Sequence, residues 1–206
     1  MKKFTCLFIL AALIVSDQLN AQSAKKDKFT YGPVFGIDLA NYRYKLPDDQ
    51  FSETYSKDPL ISLNLNIALQ YRFTEDFSVA IEPGFIQKGY SKYKPSYERV
   101  MNNYFQLPVL LGYEVYKGIS LQAGAEFDYH IATFISQGNV FDRFPAPSNN
   151  TDFALLFGTK YTFSPYWGIG VRYSHSLSPI DEIYGSGRGN IQIFHRYFQL
   201  AVFHYW

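Results

Sequence analysis

The chain has 206 residues with 19 basic and 18 acidic side chains, and a formal net charge of +1 offers no electrostatic footprint for nucleic acid. Its one cysteine, Cys6, falls in the amino-terminal apolar stretch, so disulfides, thiolate catalysis and cysteine metal sites are excluded from everything that follows. Aromatics make up 19% of residues while overall hydrophobicity is ordinary, the combination produced by strands that turn every second residue toward lipid.

Residues 1–21 read as a leader: basic Met1-Lys2-Lys3, an apolar run from Phe4 to Val15, and a polar exit ending on small Ala21. The apolar run is short for a membrane helix, and cleavage after Ala21 is expected. Cleavage also removes Lys2, Lys3 and Asp17, which takes the 19 basic residues to 17 and the 18 acidic residues to 17, for zero net charge. Residues 22–206 then form one domain, with no linker-like boundary inside it. No later stretch approaches the roughly 20 apolar residues of a membrane helix.

From residue 29 onward the chain alternates polar and apolar side chains, and the pattern restarts eight times. Strands are predicted over 29–40, 60–73, 77–88, 104–115, 119–132, 152–163, 167–177 and 192–206. In 60–73, Ile61, Leu63, Leu65, Ile67, Leu69, Tyr71 and Phe73 share one face; Ser62, Asn64, Asn66, Ala68, Gln70 and Arg72 share the other. A period of two held this long rules out an amphipathic helix. Tight turns at 74–76, 116–118 and 164–166 alternate with long polar loops at 41–59, 89–103, 133–151 and 178–191. The predicted fold is therefore all-β: an eight-stranded antiparallel up-and-down transmembrane barrel with short periplasmic turns and long extracellular loops.

Alternation alone does not say which face meets lipid, because a soluble ligand-binding barrel alternates with its apolar face inward. The polar face decides. It is built of small residues such as Gly36, Ser62, Ala68, Gly124, Ala154 and Gly170, together with Asp38, Arg72, Glu82, Lys88, Glu114, Glu126, Asp128, Lys160 and Arg172. Small side chains suit a crowded interior, and near-balanced charge in a narrow lumen reads as a structural ion-pair network rather than a pore.

The apolar face has depth. Tyr71, Phe73, Phe77, Tyr113, Tyr161, Phe163 and Trp167 lie near the short-turn end, other aromatics such as Phe105, Tyr129 and Phe198 near the long-loop end, and aliphatics between, as expected of two interfacial girdles. The last strand, with Phe198, Leu200, Val202 and Trp206 on one face, is expected to be the element read by the outer-membrane assembly machinery. Pro33, Pro83 and Pro108 argue back, since each removes a ladder donor from a barrel without edges; local bulges or later strand starts are expected there. His204 stands on the lipid face where an aromatic is the usual choice.

The segment Tyr104-Phe-Gln-Leu-Pro-Val-Leu-Leu-Gly-Tyr113 resembles a strand of the PorT-like outer-membrane β-barrel family of Bacteroidota. Ile81-Glu-Pro-Gly-Phe85 with Lys88-Gly89, Gly170-Val-Arg-Tyr-Ser174 with Leu177, the aromatic ending and the Asn20-Ala21-Gln22 exit are similar to it too. The resemblance implies an eight-stranded outer-membrane barrel, with some members linked to type IX protein secretion, and it carries no catalytic residue. His175 departs from the tyrosine usual in the family, and His204 near the end departs as well.

The only constellation with enzymatic character is Ser174-His175-Ser176, followed by Asp181 and Glu182. It resembles outer-membrane lipid A deacylases in architecture, but that family places its serine at plus two from the histidine, where this chain has Leu177, and Ser176 points to the other face of the strand. No metal-ligand spacing links the histidines, and no metal or cofactor is expected. Loop residues Tyr42, Arg43, Tyr44, Tyr93, Lys94, Arg99, Phe141 and Arg143 mix aromatics with cations, a composition suited to a protein or glycan partner or to lipopolysaccharide phosphates. The expected role is a non-enzymatic outer-membrane barrel presenting its loops outward. A lipid-modifying enzyme and a soluble periplasmic ligand-binding barrel are the alternatives.

Overall fold

The computed structural model describes residues 28–46, 51–52, 58–92, 98–137, 140–185 and 189–206. The predicted leader, Tyr93 and Lys94 fall outside them. The described residues form twelve strands: β1 (Phe29–Lys45), β2 (Phe51–Ser52), β3 (Asp58–Arg72), β4 (Phe77–Ile81), β5 (Gly84–Lys92), β6 (Glu98–Tyr116), β7 (Ile119–Gln137), β8 (Val140–Phe144), β9 (Thr151–Thr162), β10 (Trp167–Ser176), β11 (Asp181–Gly185) and β12 (Gly189–His204). Each long strand pairs antiparallel with its neighbours in sequence, and β12 pairs with β1 from Val34 opposite Phe203 to Lys45 opposite Gln192. That last pairing closes the sheet into a barrel.

Twelve strands make eight staves. β4 and β5 are one stave: against β3, Leu69 lies opposite Ile81 and Leu65 opposite Phe85, a single uninterrupted register. Pro83 has no N–H to give, so the ladder lapses at Glu82-Pro83, where the Pro83 carbonyl still accepts from Ile67 and the Glu82 N–H reaches the Pro108 carbonyl. Pro33 and Pro108 sit inside unbroken strands. The expected bulges are therefore absent at these prolines, because each costs one donor and leaves the register intact.

The remaining elements, β2, β8 and β11, pair with the outer ends of β1, β7 and β12. Much of what reads in sequence as long loop is thus strand: β1 runs to Lys45, β6 starts at Glu98, and β7 runs to Gln137. Register shifts fall between Pro59 and Asn64 on β3 and beside Tyr104 on β6 in these outer parts, and between Glu114 and Tyr116 at the short-turn end of β6. Gly89 adopts φ 150 where a Cβ would lie 2.0 Å from the Val100 carbonyl oxygen, so only glycine fits.

Side-chain hydroxyls set two of the tight turns. Thr74 Oγ1 accepts from the Phe77 N–H at 3.0 Å, and Ser164 Oγ accepts from the Trp167 N–H at the same distance. The third turn uses Gly118 at φ 76, whose N–H donates to Glu114.

The apolar face points outward. Leu65, Val109 and Val171 are exposed, whereas Glu126 and Arg172 are enclosed. The short-turn girdle forms from neighbouring rings in edge-on or tilted contact: Tyr71 with Phe73, Phe77 with Tyr113, Tyr161 with Phe163, and Tyr31 with Trp206. His204 joins it, its ring 4.5 Å from that of Trp167 and 4.8 Å from that of Trp206. Placing a charge on this face exposes it to hydrocarbon, so Leu65→Arg is expected to destabilise the barrel by about 2–4 kcal/mol in urea titrations of the protein folded into lipid vesicles. A change within experimental error would mean that position 65 does not face lipid.

Candidate functional site

The lumen is occupied in layers. At its centre Arg172 on β10 makes a two-pronged ion pair with Glu82, 2.5 and 2.7 Å, and its Nε donates to Gln122 at 3.1 Å. One layer toward the long-loop end, Lys88 on β5 is held by Glu126 at 2.8 Å, Asp128 at 2.6 Å and Asp152 at 3.3 Å. Tyr197 donates its hydroxyl proton to Glu126, Ser176 donates to Asp152 at 2.5 Å, and His195 Nδ1 lies 3.0 Å from Asp152. Asp38 accepts from Gln199 at 3.2 Å.

Above this hub Tyr104 is enclosed between the rings of His130 and His195. A chain of hydrogen bonds links Tyr42, Asn102, Thr133 and His130. Toward the short-turn end Lys160 donates to Gln70 at 2.8 Å and to the Tyr205 hydroxyl at 3.3 Å. Arg72 and Glu114 lie beyond it and line an open-ended cavity of about 460 Å³ with Lys117 and Tyr205.

Each enclosed cation also stands over an aromatic ring. Lys88 is 5.1 Å from the Tyr197 ring, Arg172 5.0 Å from Phe203 and Lys160 5.1 Å from Tyr205. The interior is thus less polar than its charges suggest: Val34, Ala68, Ala201 and Phe203 pack as one enclosed cluster, and Ile86, Leu110 and Leu156 belong to another.

The structure brings together most of the predicted network but adds partners that the sequence left out. Asp152, at the first position of the strand predicted over 152–163, is in phase with inward Ala154 and Lys160 but is not among the charges predicted for the lumen. Tyr104, His130, His195 and Tyr197 belong to the polar face, yet only the cross-barrel distances show that they complete the hub. Among the described residues no group of three or more histidine and carboxylate side chains is disposed to hold a metal.

The predicted loop residues separate. Tyr42 and Tyr44 are enclosed on the inner face of β1, packed with Ile180 and Ile193. This corrects their placement on a loop: β1 continues past residue 40 because β2 and β12 extend its ladder, so the period of two carries both tyrosines inward. Arg99 lies on β6 and Arg143 on β8. Phe141 is 62% exposed on β8 and stacks on Phe134 at 5.3 Å, while Val140 and Phe144 beside it are also exposed.

Arg43 points outward and crosses β12. Its guanidinium lies 5.0 Å over the Phe194 ring, donates to His175 Nε2 at 2.8 Å and reaches the Ser176 carbonyl at 3.1 Å. Arginine only donates, so Nε2 accepts and the remaining proton sits on Nδ1, 3.2 Å from the Tyr173 hydroxyl. Ser174 and Ser176 are enclosed on the opposite face. No serine–histidine pair forms there.

The Arg172–Glu82 pair predicts a specific pattern of stabilities. Arg172→Leu alone strands a carboxylate inside the barrel and is expected to cost about 3–5 kcal/mol, while adding Glu82→Leu recovers a large part of the loss. Urea unfolding of the three variants in detergent measures this; purely additive losses would mean that the two side chains do not satisfy one another.

Residues 20–182 match the family model described as outer membrane protein beta-barrel domain. No curated protein matches the chain. Among solved structures, Ail, the attachment invasion locus protein of Yersinia pestis, is similar at 13% identity and TM-score 0.45, covering 87% of this chain and 100% of its own. Neisserial surface protein A is similar at 13% identity and TM-score 0.44, covering 84% of this chain and 96% of its own. The outer membrane protein OprG from Pseudomonas aeruginosa is similar at 12% identity and TM-score 0.36, covering 85% and 96%. Match to the family model over most of the chain, together with a closed barrel that is apolar outside and ionic inside, makes this chain a member of the outer membrane protein β-barrel domain family.

Proposed function

We propose that this protein is a non-enzymatic outer-membrane barrel whose lumen is closed by its own side chains and whose outer hairpins bind a protein or glycan at the cell surface. The observation that carries the reading is the exposed apolar run Val140, Phe141 and Phe144 on β8, which pairs with β7 beyond Tyr129 of the outer girdle. Apolar residues on strands that extend beyond the outer girdle, away from lipid, are a surface that a partner would cover. Arg143 between them adds a donor suited to carboxylate or sulfate. The segment 104–113 supports placing the chain in the PorT-like branch, some members of which are linked to protein secretion. The terminal strand, with Phe198, Leu200, Val202 and Trp206 outward, is the proposed contact for the assembly machinery.

A lipid-modifying enzyme receives no support from the geometry, because Arg43 occupies the nitrogen that His175 would need as a base and both serines face the lumen.

A benzophenone side chain placed at position 141 is expected, on illuminating living cells, to crosslink to a surface macromolecule that the same probe at Lys117 does not reach. Equal crosslinking at the two positions, or none at 141, would contradict the reading. In planar bilayers the wild-type protein is expected to show negligible conductance; a large steady single-channel current would contradict a closed lumen.

A further inference from the structure

Lys160 on β9 is an enclosed ammonium group, 4% exposed, whose partners are all neutral. Its Nζ donates to Gln70 Oε1 at 2.8 Å and to the Tyr205 hydroxyl at 3.3 Å, and it stands 5.9 Å from the Phe203 ring and 5.1 Å from the Tyr205 ring. The acids whose charges reach it are engaged elsewhere: Glu82 holds both prongs of Arg172, and Glu114 accepts from the Gly118 N–H. Among the described residues Lys160 makes no ion pair, whereas Lys88 and Arg172, the other two enclosed cations, each rest against a carboxylate. Two rings and two neutral oxygens solvate an ammonium group but carry no charge to cancel it.

This uncancelled charge lies on the wall of a cavity. Lys160, Gln70 and Tyr205 line the enclosed part of the 460 Å³ space at the short-turn mouth. Arg72 and Glu114, half-buried and of opposite sign, follow toward the opening; Arg72 is two positions beyond Gln70 on β3, about 7 Å along the strand. Glu75, Asp76 and Lys117 stand exposed at the rim, where salt screens them. The depth of the cavity therefore carries a net charge of +1. An ammonium group has three N–H bonds, of which Gln70 and Tyr205 take two, and a single carboxylate oxygen suits the third. A doubly charged phosphate would bring a surplus negative charge beside Glu114. Tyr166, Tyr205 and Trp206 line the same space and offer apolar surface to the body of a ligand, the mixture typical of a small-molecule site.

We propose that the short-turn mouth binds a small organic monocarboxylate, its carboxylate accepting from Lys160 and its body lying against Tyr205 and Tyr166. The site is at the opposite end of the barrel from β8 and does not depend on what β8 binds.

The test uses the full barrel in detergent micelles with three probes: benzoate, benzamide, which has the same shape without the charge, and inorganic phosphate. Benzoate is expected to raise the melting temperature and to move the side-chain carbon resonance of isotope-labelled Lys160 in a saturable way. Benzamide and phosphate are expected to do neither. Lys160→Met, which keeps the length of the side chain and removes the charge, is expected to weaken benzoate binding by on the order of tenfold or more. Folding of that variant is checked by heat-modifiable migration on gels, and the comparison of benzoate with benzamide on the unaltered protein needs no variant. Equal responses to benzamide or to phosphate overturn the proposal, as does unchanged benzoate binding by folded Lys160→Met. Asp27, just before the first strand, supplies the last check: if Asp27→Asn alone moves the Lys160 resonance, the chain's own acid is the partner of Lys160 and the proposal falls.

Discussion

A sheet of eight staves closed on itself leaves an interior just wide enough for side chains and no edge on which to leave a backbone group unpaired. The inward charges are met by partners on other staves, some of them far away in sequence. Lys88 from β5 with acids from β7 and β9, and Arg172 from β10 with Glu82 beside β4, are the direct outcome. Burying these charges adds little net stability in itself. Its consequence is specific: removing any one of them is costly, and the network admits only one register.

That constraint also dictates where function can reside. With the middle occupied from Lys160 to Tyr104, a ligand has access to the two mouths and the outer wall. The mouth at the short turns is a cavity of about 460 Å³ lined by both charged and aromatic side chains, and the other end carries strand extensions and β8. The outer wall is apolar over most of its height.

The outward face was legible in the sequence because lipid imposes one rule on every second residue; Leu63, Leu65 and Val171 follow from alternation once the small and ionic residues of the opposite face mark that face as the interior. The inward charges were legible as a set but not as pairs, since pairing depends on barrel stagger that no single strand encodes. Asp152 and His195 illustrate this: each lies near the edge of a predicted strand, and their roles come from Lys88 on β5 for Asp152, from Tyr104 on β6 for His195, and from their contact with each other. Tyr42 and Tyr44 mark the other failure. Beside Arg43 and Lys45 they have the composition of a binding loop, but they continue a ladder whose partner strands lie far away in the chain. Gly89, Pro33 and Pro83 look like breakers, yet the neighbouring staves hold the register through all three.

Leucines on the two faces of the wall offer the sharpest check on the account. Leu110 and Leu156 are 1% exposed on the inner face, while Leu111, next to Leu110, is 63% exposed on the outer face, where Leu65 and Leu200 on other staves are exposed too. In a methyl-labelled sample in lipid nanodiscs, nuclear Overhauser contacts with acyl-chain protons are predicted for Leu65, Leu111 and Leu200 and not for Leu110 or Leu156. Acyl-chain contacts from Leu110 and Leu156, with none from Leu111, would turn the barrel inside out and contradict the account.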